Sequence, residues 1–132
     1  MNKRDLKKQE VWDFEIQFIE SVLKERPDFI EALIALGDLY TRRGYFEKGL
    51  EIDKKLKRLR PQDATVLYNL ACSYSLVNDL GNSFETMKQA IEFGYHDFER
   101  LLKDSDLENL IKDHRFKEYL STMGHSKKLQ NP

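Results

Sequence analysis

Three histidines, one cysteine and two aspartates separated by a single serine are the residues of this 132-residue chain best suited to chemistry. His96, His114 and His125 share no spacing that would bring two imidazoles onto one metal ion, and Cys72 has no cysteine or histidine close by in sequence. A reactive thiol needs a neighbouring cation to hold it ionised, and the sequence places none beside Cys72. Asp104 and Asp106 could form an acid–base pair or open a calcium loop. The glycine and distal glutamate of such a loop do not follow, so the two aspartates read as helix caps. The basic run from Lys54 to Arg60 closes a helix, where cations complement the negative end of the dipole. Phosphate-cradling glycine loops and nucleophile elbows are not found. These residues point away from an enzyme: no catalytic residue, no metal and no cofactor is expected.

Composition narrows the class further. Apolar residues make up 40% and charged residues 34%, which suits a soluble, helix-rich domain. With no apolar run of membrane-spanning length, no leader and a single cysteine, the expected compartment is the cytoplasm. Net charge is −1; residues 1–60 carry 14 basic against 12 acidic side chains, and residues 61–132 carry 8 against 11. Neither half offers the polybasic surface that binds nucleic acid or an anionic membrane, so neither partner is expected.

The elements that position these residues follow from a repeat. Leu33, Leu36, Gly37 and Tyr40 stand 34 residues before Leu67, Leu70, Ala71 and Tyr74, and their spacing puts each set on one helical face. Gly44 corresponds to Asn78, the two residue types that best tolerate a left-handed backbone past a helix end. Gly49 corresponds to Ser83 and Leu50 to Phe84, while Pro27 and Pro61 share the same separation. Small residues on both helices let an antiparallel pair approach closely. Asp28 with Glu31, and Asp63 before Ala64, read as helix starts. One such hairpin cannot bury its apolar face alone and must stack on a neighbour.

The pattern L-x2-L-G-x2-Y, carried by Leu33, Leu36, Gly37 and Tyr40, resembles the tetratricopeptide repeat, whose period is 34. The match spans two full units, 30–63 and 64–97, with a half unit at 5–27 ending in the same Leu-Lys…Pro phrase. The resemblance implies an all-α, right-handed α-solenoid of antiparallel helical hairpins. Asp53 departs most from the pattern, standing where the family carries an aromatic; it is expected to reach solvent, or the helix is rotated there. Residues 98–123, with Gly94, Tyr95 and Asp97 just before them, are similar to the closing segment of many bacterial tetratricopeptide proteins, through those three residues and Asp104, Asp106, Leu107, Leu110 and Phe116. They are expected to form a partial repeat and a cap of short helices, followed by a frayed tail over 124–132.

The half unit reads as one helix from about Asp5 to Glu25, packed on the first repeat through Ile19, Val22 and Leu23. Trp12 and Phe14 either form an exposed patch or fold back onto the core. Function enters through the resemblance, which implies a protein-interaction module holding a peptide or protein partner on its concave face. Candidate partner-binding residues are Glu31, Ile34, Asp38, Arg42, Thr65, Tyr68, Asn69 and Cys72. Asn69 coincides with a family position often held by a peptide-binding Asn, and its amide can bond a backbone in both directions. The alternative is a structural module that forms a homodimer or larger oligomer through its N-terminal helix. The family's familiar ligand, an acidic chaperone tail, meets Ile34 and Asp38 where Lys and Asn would grip it. Such a peptide is expected not to bind, and a calorimetric titration giving micromolar affinity would overturn this expectation.

Overall fold

Prolines and left-handed residues punctuate the chain, and the helices fall between them. The computed structural model describes the backbone of residues 1–130 and the side chains of residues 1–123. Among the described residues there are eight α-helices, one 3-10 turn and no strand. They are α1 (Lys3–Glu25), α2 (Ile30–Arg43), α3 (Phe46–Leu59), α4 (Ala64–Leu76), α5 (Leu80–Glu92), α6 (Phe98–Lys103), the turn Ser105–Leu107, α7 (Glu108–Lys112) and α8 (His114–Gln130). The tail expected to fray over 124–132 lies outside the fully described residues. The chain is an all-α solenoid: α2/α3 and α4/α5 form successive hairpins, α1 packs against α2, and the later helices close the far side of α4 and α5.

Both hairpin turns use the residues foreseen for them. Gly44 (φ 86°) and Asn78 (φ 62°) take the left-handed conformation. Each turn closes with matching backbone bonds, Tyr45 N–H to Tyr40 O at 2.8 Å and Asp79 N–H to Tyr74 O at 2.9 Å. Asp63 caps α4, accepting from the amides of Thr65 (2.9 Å) and Val66 (3.2 Å). Asp28 does not cap α2. That helix starts at Ile30 without a side-chain cap, and the Asp28 carboxylate lies 3.4 Å from Lys55 Nζ instead.

Close approach within the first hairpin depends on small residues on both helices, Gly37 on α2 and Gly49 on α3. A Cβ on Gly49 would stand 3.2 Å from Thr41 Oγ1, so a larger side chain would push α3 off α2. In the next unit Ser83 fills the same place, fully buried, and donates to Ala71 O at 2.7 Å. The large residues then interdigitate: Leu33, Leu36, Tyr40, Leu67 and Leu70 are all buried. Tyr74 is only half-buried, with Lys54 Nζ 5.9 Å from its ring centre.

The N-terminal helix is anchored by Ile16, with Trp12, Ile19 and Leu23 beside it against Leu36, Leu39 and Tyr40. Tyr40 Oη donates to Glu20 at 2.5 Å, and Arg43 Nε donates to Asp13 at 2.9 Å. Val22, expected to share the contact, is half-buried. Trp12 and Phe14 part company: Trp12 joins the core while Phe14 is 71% exposed.

At the other end Leu101, Leu107, Leu110 and Phe116 are wholly buried, each contributing about 1.5–3 kcal/mol. Phe116 meets Phe84 edge-on with ring centres 5.5 Å apart. Ser75 bonds this cap to α4, accepting from Leu110 N–H at 3.2 Å on its hydroxyl and from Asn109 Nδ2 at 3.1 Å on its carbonyl. One closing helix is longer than foreseen: α8 runs 17 residues. Leu67→Ala is expected to destabilise the protein by about 3 kcal/mol in urea denaturation, because Leu67 is wholly buried and its truncation leaves a cavity. Leu6→Ala, at a residue exposed on α1, is expected to change stability by less than about 0.5 kcal/mol.

Candidate functional site

The inner faces of α2 and α4 diverge around Asp53, and the cap rises on the third side to form a cleft of about 320 Å³. Ile34, Ala35, Gly37, Asp38 and Thr41 line it from α2, Asp53 and Leu56 from α3, and Asn69, Cys72, Ser73 and Leu76 from α4. Arg100, Asp104 and Asp106 complete the wall. Among the described residues no three of His, Cys, Asp or Glu come together as metal ligands.

Of the eight residues singled out in sequence, the cleft brings together Ile34, Asp38, Asn69 and Cys72. Glu31, Arg42 and Thr65 are exposed outside it, with Arg42 Nη2 paired to Asp38 at 3.0 Å. Tyr68 is a correction. It is 1% exposed and offers no surface to a partner, because its side of α4 is covered by the cap. Its ring stacks on Tyr95 with centres 4.3 Å apart, and its hydroxyl donates to Asp104 Oδ2 at 2.7 Å. Burial, then the bond to Asp104, pushes its phenol well above the usual range. The Cys72 thiol, also buried, is pushed up by burial first and then by the charges of Asp104, Asp106 and Asp53. It is poorly suited to nucleophilic chemistry.

Asp104 is a cap, as foreseen, since its Oδ1 accepts from Asp106 N–H at 3.0 Å. Its other oxygen holds Tyr68, a role no local spacing reveals. Asp53 is the second correction. It does not reach open solvent; it is 8% exposed at the floor of the cleft and accepts a hydrogen bond from Ser73 Oγ. Gly37 makes the space, for a Cβ there would stand 3.2 Å from Asp53 Oδ1. A glycine, an aspartate and a serine on three successive helices are the signal that would have located this site. Residue-by-residue comparison within one repeat misses it.

The cleft is acidic. Asp38, Asp53, Asp104 and Asp106 face it against one lining cation, Arg100, whose guanidinium lies 5.3 Å from the Tyr68 ring centre. The Asp106 carboxyl is raised by burial, then by Asp104 and Asp38, as expected where like charges crowd together. Burial lifts Asp53 to about 6 from 3.8, although the Ser73 bond pulls the other way.

Helix pairs with a 34-residue period, stacked around an inner cleft, define the chain as an α-solenoid of the tetratricopeptide-repeat type. No family model matches the sequence. The chain is 32% identical over 90 residues, 66% of its length, to a chloroplastic protein of Arabidopsis thaliana. It is 39% identical over 71 residues to the Protein CTR9 homolog of the same plant. It spans only 27% and 6% of those two proteins. Its fold is similar to that of MamA 41-end from Desulfovibrio magneticus RS-1, with a TM-score of 0.66 at 19% identity, covering 96% of this chain and 72% of that one. No helix among the described residues is long and apolar enough to cross a membrane.

Asp53 supplies a pH test. Its folded-state value lies above its unfolded one, so the native state holds an extra proton between about pH 4 and 6. Stability from this group is complete below the unfolded value and is lost as pH rises through about 6. Asp53→Asn keeps an acceptor for Ser73 and removes the charge. It is expected to raise stability at pH 7 by on the order of 2 kcal/mol and to flatten the fall between pH 4 and 6, measured by urea denaturation.

Proposed function

We propose that this chain is a protein-interaction module that holds an extended segment of a partner protein in its inner cleft, and that the segment carries a lysine or arginine. The observation that carries this reading is the convergence of Asn69 with Asp38, Asp104 and Asp106 around one opening. The Asn69 amide can donate to and accept from a peptide backbone, which fixes the segment's position without reading its sequence. The carboxylates would receive a cationic side chain, and an acidic one would be repelled. Ile34 (45% exposed) and Leu76 offer apolar contact beside them.

A cleft of this size admits one or two side chains, so the contact falls among small, transient interfaces with micromolar affinity. The buried free thiol of Cys72 suits a reducing compartment, and we place the module in the cytoplasm. A random soluble peptide library selected on the immobilised protein tests the reading. Selected peptides are expected to be enriched in Lys and Arg, to lose binding at high salt, and to be lost with Asp38→Asn combined with Asn69→Ala. Enrichment of acidic peptides, or capture unchanged by the double substitution at unchanged helicity, would overturn it.

A further inference from the structure

Val11, Phe14 and Phe18 are 53%, 71% and 61% exposed and follow one another at helical spacing, so α1 carries an uncovered apolar stripe. Their counterparts 34 residues on, Tyr45, Lys48 and Ile52, face the first helix of their own hairpin. The Tyr45 ring centre is 6.4 Å from that of Tyr40, Lys48 Nζ lies 5.6 Å from the same Tyr40 ring, and Ile52 Cγ2 would be 3.4 Å from a Cβ on Gly37. The stripe therefore matches the side of α3 that borders α2, where Tyr45 and Lys48 themselves remain exposed. Glu15, however, stands where the later units place Gly49 and Ser83. A glutamate there blocks the backbone-close packing that α2 and α4 achieve, so this face is not built for a repeat-type first helix.

Charge identifies a different occupant. Lys3, Arg4, Lys7 and Lys8 crowd the first turns of α1, whereas Glu10, Glu15 and Glu25 follow, and no ion pair within the protein engages any of them among the described residues. A helix basic at one end and acidic at the other complements itself when reversed. We infer that α1 pairs antiparallel with α1 of a second copy, Phe14 of each packing on Phe18 of the other. In this register Lys7 of one copy opposes Glu25 of the second, twice by symmetry. The aromatic side chains hold the helices at the wider separation that Glu15 requires. This surface is separate from the inner cleft and stands or falls without it.

Sedimentation of the full chain from low to high micromolar concentration, at low and high salt, tests the pairing. The wild type is expected to pass from monomer to dimer, less readily at high salt. Phe14→Ser with Phe18→Ser is expected to raise the dissociation constant at least tenfold with helicity unchanged, since both residues lie outside the core. Lys7→Glu and Glu25→Lys should each weaken the dimer, and the two combined should restore it. Asp38→Asn, in the cleft, should dimerise as the wild type does. A wild type monomeric throughout would mean that the stripe has another occupant and would overturn the inference. So would a dimer indifferent to the serine pair, or a charge swap no better than its single members.

Discussion

Backbone-close contact between the two helices of each hairpin is the constraint from which the rest of this structure follows. Gly49 admits that contact in one unit and Ser83 in the next, and in each the large residues to either side can then reach a common layer. With that distance fixed, the apolar face left over on each hairpin is narrow enough for a single neighbour to cover. Leu33, Leu36 and Tyr40 on one unit and Leu67 and Leu70 on the next are thereby removed from water. The inner surface is a by-product of the same geometry: α2 and α4 present their remaining side to open space while α3 and α5 stay behind them.

Much of this was legible in the sequence because it is periodic or local. The 34-residue repeat, the left-handed positions at Gly44 and Asn78, and the cap at Asp63 each depend on residues near one another or on a fixed spacing. What was hidden depends on contacts between units. Tyr68 reads as a surface residue beside Asn69, yet the cap, more than thirty residues away, covers it and supplies Asp104 to its hydroxyl. Asp53 reads as a misfit against the repeat pattern and is instead accommodated by Gly37 on the helix before it and Ser73 on the helix after it. Asp28 looks like a cap by type and spacing, but Lys55, on a neighbouring helix, draws its carboxylate away. Half of the candidate residues therefore reached the cleft; Glu31, Arg42 and Thr65 lie exposed outside it, and Tyr68 alone is hidden by a distant segment.

The acidic character of the cleft has an energetic cost that the fold absorbs unevenly. Asp104 is secured by both oxygens, one on the Asp106 amide and one on the Tyr68 hydroxyl. Asp53 has Ser73 to bond it and, among the described residues, no ion-paired cation to neutralise it. Keeping a carboxylate in so enclosed a place works against stability near neutral pH. The cap and the cleft also share atoms, since the residue that terminates α6 is the one that holds Tyr68.

The two ends of the stack are unlike. Phe116, Leu110 and Leu107 seal one with side chains that no solvent reaches, beneath a surface of Glu108, Lys112, Arg115 and Lys117. The other shows bare aromatics. End-on growth of a solenoid into a fibre needs an adhesive surface at both extremities, and among the described residues the cap withdraws Leu107, Leu110 and Phe116 from that use.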